Sequence, residues 1–234
     1  MLTEWLAPHD FSWFAEHHLG RAPHAVPGAA AGAIPLFGEG TIDRVLGSSR
    51  RPLDVLTVSA GKMVETPPPR SAADVARLGA DGVSVVVRGA EAHDDGLSGL
   101  AQSFASLVPG EVHVQLYMTP ASTNSYGWHY DFEHVFIAQT AGVKDYYFRA
   151  NTVALDTRLG EPLDFSVFRR ETSPILAARL VAGDWLYLPP RWWHLVKCVE
   201  RSLSISTGVM PPEALQTASR LPAGWTGLPP QTSR

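Results

Sequence analysis

The run Val112-His-Val-Gln-Leu-Tyr-Met118 decides how this chain is read. Its even positions are apolar, and its odd positions, His113, Gln115 and Tyr117, carry hydrogen-bonding groups. Successive side chains on a strand point to opposite faces, so a period of two gathers those three residues on one side. A strand with one apolar face and one hydrogen-bonding face suits a barrel whose interior takes a polar ligand. Short-period segments recur from residue 111 onward, and strands are expected at 128–131, 134–139, 144–148, 164–168, 185–188, 193–199 and 202–209. Many short strands joined by turns indicate an antiparallel sandwich or jelly roll.

Outward from that run, the first half reads differently. Residues 4–19 read as a helix, with Asp10 as an N-cap and Gly20 as the stop. A Pro/Gly/Ala segment up to Phe37 is expected to be irregular and packed on a larger body. Residues 71–79 form a two-turn helical pattern, followed by a strand ending near Arg88. Residues 96–108 form an amphipathic pattern with Leu97, Leu100, Phe104 and Leu107 on one face. The chain is thus mainly β, with helices flanking on the N-terminal side.

Composition narrows the function classes. The 234 residues are 45% hydrophobic and 18% charged, enough apolar material for one sizeable core. With 20 Gly and 19 Pro spread along the chain, turns outweigh long helices. A net charge of −4 gives no excess positive field for a polyanion, so nucleic acid is not an expected partner. Cys198 is the one cysteine, which excludes an intramolecular disulfide framework and any cysteine-rich zinc module. The first residues lack a basic region followed by an apolar one, and no stretch approaches the roughly 20 apolar residues that span a bilayer. A cytoplasmic location and no membrane partner are expected.

Two segments carry metal chemistry. In His129-Tyr130-Asp131 alternate strand residues point the same way, which lets a histidine and a carboxylate reach one ion. A second His-x-Asp, at His93-Asp94-Asp95, sits in a turn-like cluster where side chains are expected to be solvated and not to form a site. The first differs because Gly183-Asp-Trp-Leu-Tyr-Leu-Pro-Pro-Arg-Trp-Trp-His194 later supplies another histidine after a turn, a short apolar strand and a Pro-Pro corner. Two histidines and a carboxylate on one face of a metal, with open positions opposite, suit non-haem Fe(II) oxygenation. Zinc accepts the same donors, so a metal-binding barrel without oxygenase activity is the competing class.

Residues 116–144, containing His129-Tyr-Asp131-Phe-Glu-His-Val-Phe-Ile-Ala-Gln139 and Lys144, together with 183–194, resemble the JmjC/cupin-type 2-oxoglutarate oxygenases. The likeness is strongest to the ribosomal oxygenase branch and runs from about residue 10 to about Val209. It implies a double-stranded β-helix, divided as an N-terminal helical or irregular segment at 1–50, a catalytic domain at 51–210 and a short Pro/Gly-rich tail at 211–234. It also implies iron ligation by His129, Asp131 and His194, and a role for Lys144 against the distal carboxylate of 2-oxoglutarate. Elementary electrostatics agrees on the lysine, because a dianion inside a barrel needs a buried cation. Gln115, Tyr117 and Ser204, with Ser206 two positions further along the same face, are implied as cosubstrate contacts. Tyr126, Trp128 and Tyr130 flank the ligands and are candidates for the substrate mouth. Trp185, Tyr187, Trp192, Trp193 and Cys198 read as packing residues, and His134 as a surface or supporting histidine.

The implied chemistry is hydroxylation with Fe(II), 2-oxoglutarate and O2, releasing succinate. Its expected substrate is a side chain, histidine or arginine among the candidates, in a peptide or protein, with a free amino acid or small metabolite as the alternative. Two departures from the branch bear on this. Its members continue into helical dimerisation and winged-helix-like regions, whereas about 24 residues follow Met210 here. Asp145-Tyr-Tyr-Phe replaces the more basic, Trp-containing run that follows the lysine. Substrate identity and oligomeric state are therefore not carried over.

Overall fold

The structure is a computed structural model and describes residues 1–124, 126–153, 165–212 and 214. Its chain opens with α1 (Leu2–Trp5) and α2 (Phe11–His17), where one helix over 4–19 was expected. The interruption contains Pro8, which cannot donate to a helical ladder, and α2 restarts where the Asp10 carboxylate accepts from the Trp13 amide at 2.8 Å. The Pro/Gly/Ala segment is more ordered than expected, holding β1 (His24–Val26) and a 3-10 turn at Ala31–Leu36 before α3 (Glu39–Leu46).

Next come β2 (Asp54–Ser59), β3 (Lys62–Met63), α4 (Ala72–Ala80), β4 (Ser84–Arg88) and α5 (Asp95–Ala105). The second half supplies β5 (Glu111–Thr119), β6 (His134–Ala141), β7 (Lys144–Arg149), α6 (Phe165–Arg170), β8 (Leu176–Leu180), β9 (Trp185–Leu188), β10 (Trp193–Cys198) and β11 (Ser202–Met210). Residues 165–168, expected as strand, are helical, and Asp164 lies outside the described residues. Phe165 to Arg170 lacks a period-two pattern, so nothing in that segment opposes the helix. Residues 128–131 form no strand either; only an isolated antiparallel bridge joins His129 to His194.

All pairing is antiparallel. An eight-stranded sheet runs β1-β9-β6-β11-β5-β4-β2-β3 and faces a three-stranded sheet, β10-β7-β8. Strand alternation sorts the side chains into two layers. Val114, Leu116, Phe136, Ala138, Trp185, Tyr187 and Ile205 leave the large sheet toward the helices, where they pack with Trp5, Phe14 and Phe104. Val135, Ile137, Leu186 and Leu188 leave the other face and meet Tyr146, Phe148 and Leu180 of the small sheet. Burial of β11 at every one of its positions follows, since it lies between the helical layer and the space between sheets. The architecture is the expected double-stranded β-helix, with helices covering one outer face.

Candidate metal centre and the cavity behind it

His129 and Asp131 sit on the segment leading into β6, and His194 on β10. The bridge that joins the two histidines is reciprocal: the His194 amide donates to the His129 carbonyl at 2.7 Å, and the His129 amide donates back at 3.1 Å. Backbone pairing thus fixes the rings side by side, with centroids 4.1 Å apart. One donor atom each from His129, Asp131 and His194 falls within 4.8 Å of the others, and His194 Nε2 lies 3.5 Å from an Asp131 carboxylate oxygen.

Both rings are oriented for ligation through Nε2. His129 Nδ1 donates to the Gly127 carbonyl at 2.8 Å, and His194 Nδ1 to the Trp192 carbonyl at 3.0 Å. A carbonyl only accepts, so the proton is held on Nδ1 and the Nε2 lone pair faces its partners. Burial, reinforced by His129 alongside, lowers the His194 pKa to about 4, which keeps that lone pair free at neutral pH. The donor set is that of a divalent metal held on one face. Among the described residues it is the one group of three or more His, Cys, Asp or Glu so disposed. His93 and Asp94 are buried rather than solvated: Asp94 caps α5, accepting from the amides of Gly96 and Leu97, and pairs with Arg44 at 2.9 Å.

Behind the triad a cavity of ≈ 720 Å³, open mouth included, extends between the two sheets. Its walls include Gln115 and Tyr117 of β5, Ser204 and Ser206 of β11, and Lys144 and Tyr146 of β7. Register explains the grouping, because Tyr117 lies opposite Ser204 and Gln115 opposite Ser206 on adjacent strands. The β6–β7 turn contains Gly142 at φ +67°, in the left-handed region, and no Cβ fits there against the Arg201 carbonyl. It leads directly into Lys144, which points inward and is 3% exposed.

Lys144 Nζ donates to Ser204 Oγ at 2.8 Å and lies 5.5 Å from the Tyr117 ring centroid. Among the described residues no carboxylate lies within ion-pair distance of it. Burial without a compensating anion lowers its pKa to about 8. The Tyr117 hydroxyl donates to Gln115 Oε1 at 3.0 Å, and Tyr146 bonds to Ser204. Burial holds both phenols well above their ordinary pKa, so they remain neutral donors.

A sequence profile described as the JmjC domain matches residues 92–217, more than half of the chain. The chain belongs to the JmjC family. Its match to the Drosophila melanogaster Jumonji C domain-containing protein 5 is 32% identical over 120 residues, covering 42% of this chain and 28% of that protein. Two structures of the Escherichia coli ribosomal oxygenase YcfD share the fold. One, with cobalt and succinic acid, gives a TM-score of 0.66 at 20% identity, over 88% of this chain and 52% of that one. The other, with cobalt and 2-oxoglutarate, gives 0.64 at 18%, over 97% and 62%. The chain thus spans less than two thirds of the length of these relatives.

Within this JmjC fold the mouth differs from expectation. Tyr126 lines the cavity, its ring 5.7 Å from that of His129 and its buried hydroxyl without a hydrogen-bond partner among the described residues. Trp128 and Tyr130 do not line it. They alternate with the inward-pointing ligands and so turn the other way, Trp128 against Phe168 at 4.7 Å and Tyr130 against Trp193 at 4.9 Å. Glu171 secures that outer layer by accepting from Trp193 Nε1 at 3.0 Å and from the Thr152 amide at 2.6 Å. His134 is buried, its Nδ1 accepting from the Tyr187 hydroxyl at 2.8 Å, while that oxygen accepts from the Gly20 amide at 2.7 Å. Cys198 is buried as expected, but its thiol also contacts Glu200 O at 2.8 Å and Ser202 Oγ at 3.1 Å. Two polar cavity residues escaped the sequence reading. Tyr146 was within reach of the alternation along the strand that begins at Lys144, whereas Glu133 follows the motif with no periodic signal.

Proposed function

We propose that the protein is an Fe(II)- and 2-oxoglutarate-dependent oxygenase that hydroxylates a side chain of a peptide or protein, arginine and histidine being the candidates. The observation that carries this reading is Lys144, a buried ammonium without a carboxylate partner, in the same cavity as the His129/Asp131/His194 set. A buried cation of this kind is costly unless an anion joins it. A barrel binding zinc for hydrolysis has no use for a second, cationic pole in its cavity, whereas a dicarboxylate cosubstrate requires one. YcfD, with the same fold, carries cobalt and 2-oxoglutarate in one of its structures, which supports the assignment.

His129, Asp131 and His194 would hold the iron through two Nε2 atoms and one carboxylate. Iron(II), when bound, supplies the activation of O2 that couples 2-oxoglutarate decarboxylation to C–H hydroxylation. The chain's residues bind and orient. Lys144, with the Ser204 and Tyr146 hydroxyls beside it, receives the distal carboxylate; Gln115 and Ser206 line the wall nearby. Val135, Ile137 and Val196 complete the wall with apolar surface that keeps water from the reacting groups. The test is succinate formation by purified protein given Fe(II), 2-oxoglutarate and ascorbate. Succinate above a zinc-loaded control is expected, together with a thermal shift caused by 2-oxoglutarate. Absence of both overturns the reading.

A further inference from the structure

Outside the cavity, the segment that carries two of the metal ligands presents a layer of rings. Trp128, Tyr130 and Phe132 alternate with His129 and Asp131 and pack with Trp193 and with Phe168 of α6. Along Phe132, Tyr130, Trp193, Phe168 and Trp128, successive ring centroids are 5.6, 4.9, 5.3 and 4.7 Å apart. Guanidinium groups sit on this layer: Arg191 lies 5.2 Å from the Phe132 centroid, and Arg149, braced against Ser173, lies 5.5 Å from that of Phe168. Arg169 and Arg170 follow Phe168 in the last turn of α6 and are exposed, as is Arg191. Among the described residues, none of these four arginines has a carboxylate within ion-pair distance. The carboxylates on the same segments are already committed: Asp131 to the metal set, Glu171 to Trp193 Nε1 and the Thr152 amide, Asp145 to Arg179. In a chain of net charge −4, the layer is a local concentration of unpaired cations.

Arg191 has a side chain that its backbone does not explain. Its φ is +64°, in the left-handed region, where a Cβ crowds the following carbonyl. The described residues hold eight glycines at positive φ and three other residues, of which Ala60 and Ser122 are small. The backbone task at 191 is donation from the amide to the Asp131 carbonyl at 2.7 Å, which a glycine performs without strain. A long cation kept there at a conformational cost points to a use for the cation. Location supplies the use. His129 and Asp131 are half-buried, so their segment forms the rim between the cavity and the ring layer. At about 3.3 Å per extended residue, a peptide with one side chain in the cavity lays residues roughly two to five positions away over that layer. Guanidinium groups occupy faces of Phe132 and Phe168, which leaves little open ring for a nucleobase and offers N–H edges to carboxylates.

We infer that Arg149, Arg169, Arg170 and Arg191 form a docking surface for an acidic stretch of the peptide or protein substrate, with Asp or Glu residues flanking the side chain presented for reaction. This rests on the oxygenase reading and adds to it a recognition element outside the cavity. Fluorescent Gly/Ser peptides of about twelve residues, carrying several Asp, Asn or Lys, test it by anisotropy with the full chain. At low salt the Asp peptide should bind about tenfold or more tightly than the Asn and Lys peptides, and high salt should remove most of that advantage. Arg191→Gly should weaken Asp-peptide binding about threefold or more while the urea midpoint stays level or rises, because the strain is relieved. Joint Arg169→Ala and Arg170→Ala should weaken it further, and Arg21→Ala, an exposed arginine following α2, should leave it unchanged. Full affinity in Arg191→Gly with a lowered midpoint makes that side chain structural and overturns the inference. Equal binding of the three peptides, or binding of none, overturns it on the wild type alone. A uridine oligonucleotide bound more tightly than the Asp peptide overturns it in favour of a nucleic-acid surface. Binding needs no turnover, so an acidic preference without succinate under any condition refutes the oxygenase reading and leaves the docking surface. Succinate formation without an acidic preference refutes the docking surface alone.

Discussion

Lys144 concentrates the chemistry of this protein in one side chain. It is fully enclosed, bonded to Ser204 Oγ, and its pKa is lowered to about 8 because burial is not offset by an anion. A carboxylate brought to it favours the charged form, so 2-oxoglutarate binding raises that pKa and takes up a proton above pH 8. Affinity is then expected to stay level below about pH 8 and to weaken by up to about tenfold per pH unit above it. Calorimetry across pH 6.5–9.5 checks this, and Lys144→Met should bind about 30-fold or more weakly with no such pH dependence. Which residues meet was largely legible from sequence. His129, Asp131 and His194 were read from spacing and resemblance, and Lys144 from resemblance and from the need of a dianion in a barrel for a buried cation. Glu133 was not, because its pairing with His113 at 2.8 Å, across Gly208, appears only when three segments are laid side by side.

Elements position these residues through alternation and register. Ser204 and Ser206 face the cavity because β11 pairs with β5 in one continuous register from Ser202 to Met210. Gly208 belongs to that same inward row, and a Cβ there would lie 2.5 Å from His113 Nε2 and 2.6 Å from Glu133 Oε2, so Gly208→Ala should cost about 1–3 kcal/mol through overpacking as that pair separates. Urea unfolding measures this; an unchanged midpoint would mean that the pair has slack. Strand patterns were readable where one face met apolar groups and the other polar ones, as at 112–118. They were unreadable in β8, Leu-Ala-Ala-Arg-Leu, whose composition favours helix and whose strand state is imposed by pairing with β7. They misled at 128–131, where the inward and outward alternation is present without a ladder.

Across the whole molecule, the large sheet can line a cavity on one face because the other is fully covered. Phe14 of α2 is central to that cover, with ring contacts to Phe136 at 5.9 Å, Trp185 at 6.2 Å and Tyr187 at 5.0 Å. Phe14→Ala should lower stability by about 3–5 kcal/mol, read by chemical denaturation, with the loss carried to β6 and β9 rather than confined to the helix. The sequence indicated a helical flank but not how closely it is joined, because β1 is three residues long and gains its strand character from β9 alone.

The reciprocal bridge between His129 and His194 has a consequence for the order in which the chain opens. These residues are 65 positions apart (194 − 129), and the span between them contains β6, β7, α6, β8 and β9. An ion held by both rings is a cross-link closing that span, and it subtracts loop entropy from the unfolded ensemble much as a disulfide does in a chain whose single cysteine can form none within itself. Metal occupancy and the integrity of the small sheet are thereby one equilibrium. Hydrogen exchange along β10 then reports the state of the ion as directly as any property of the ion itself.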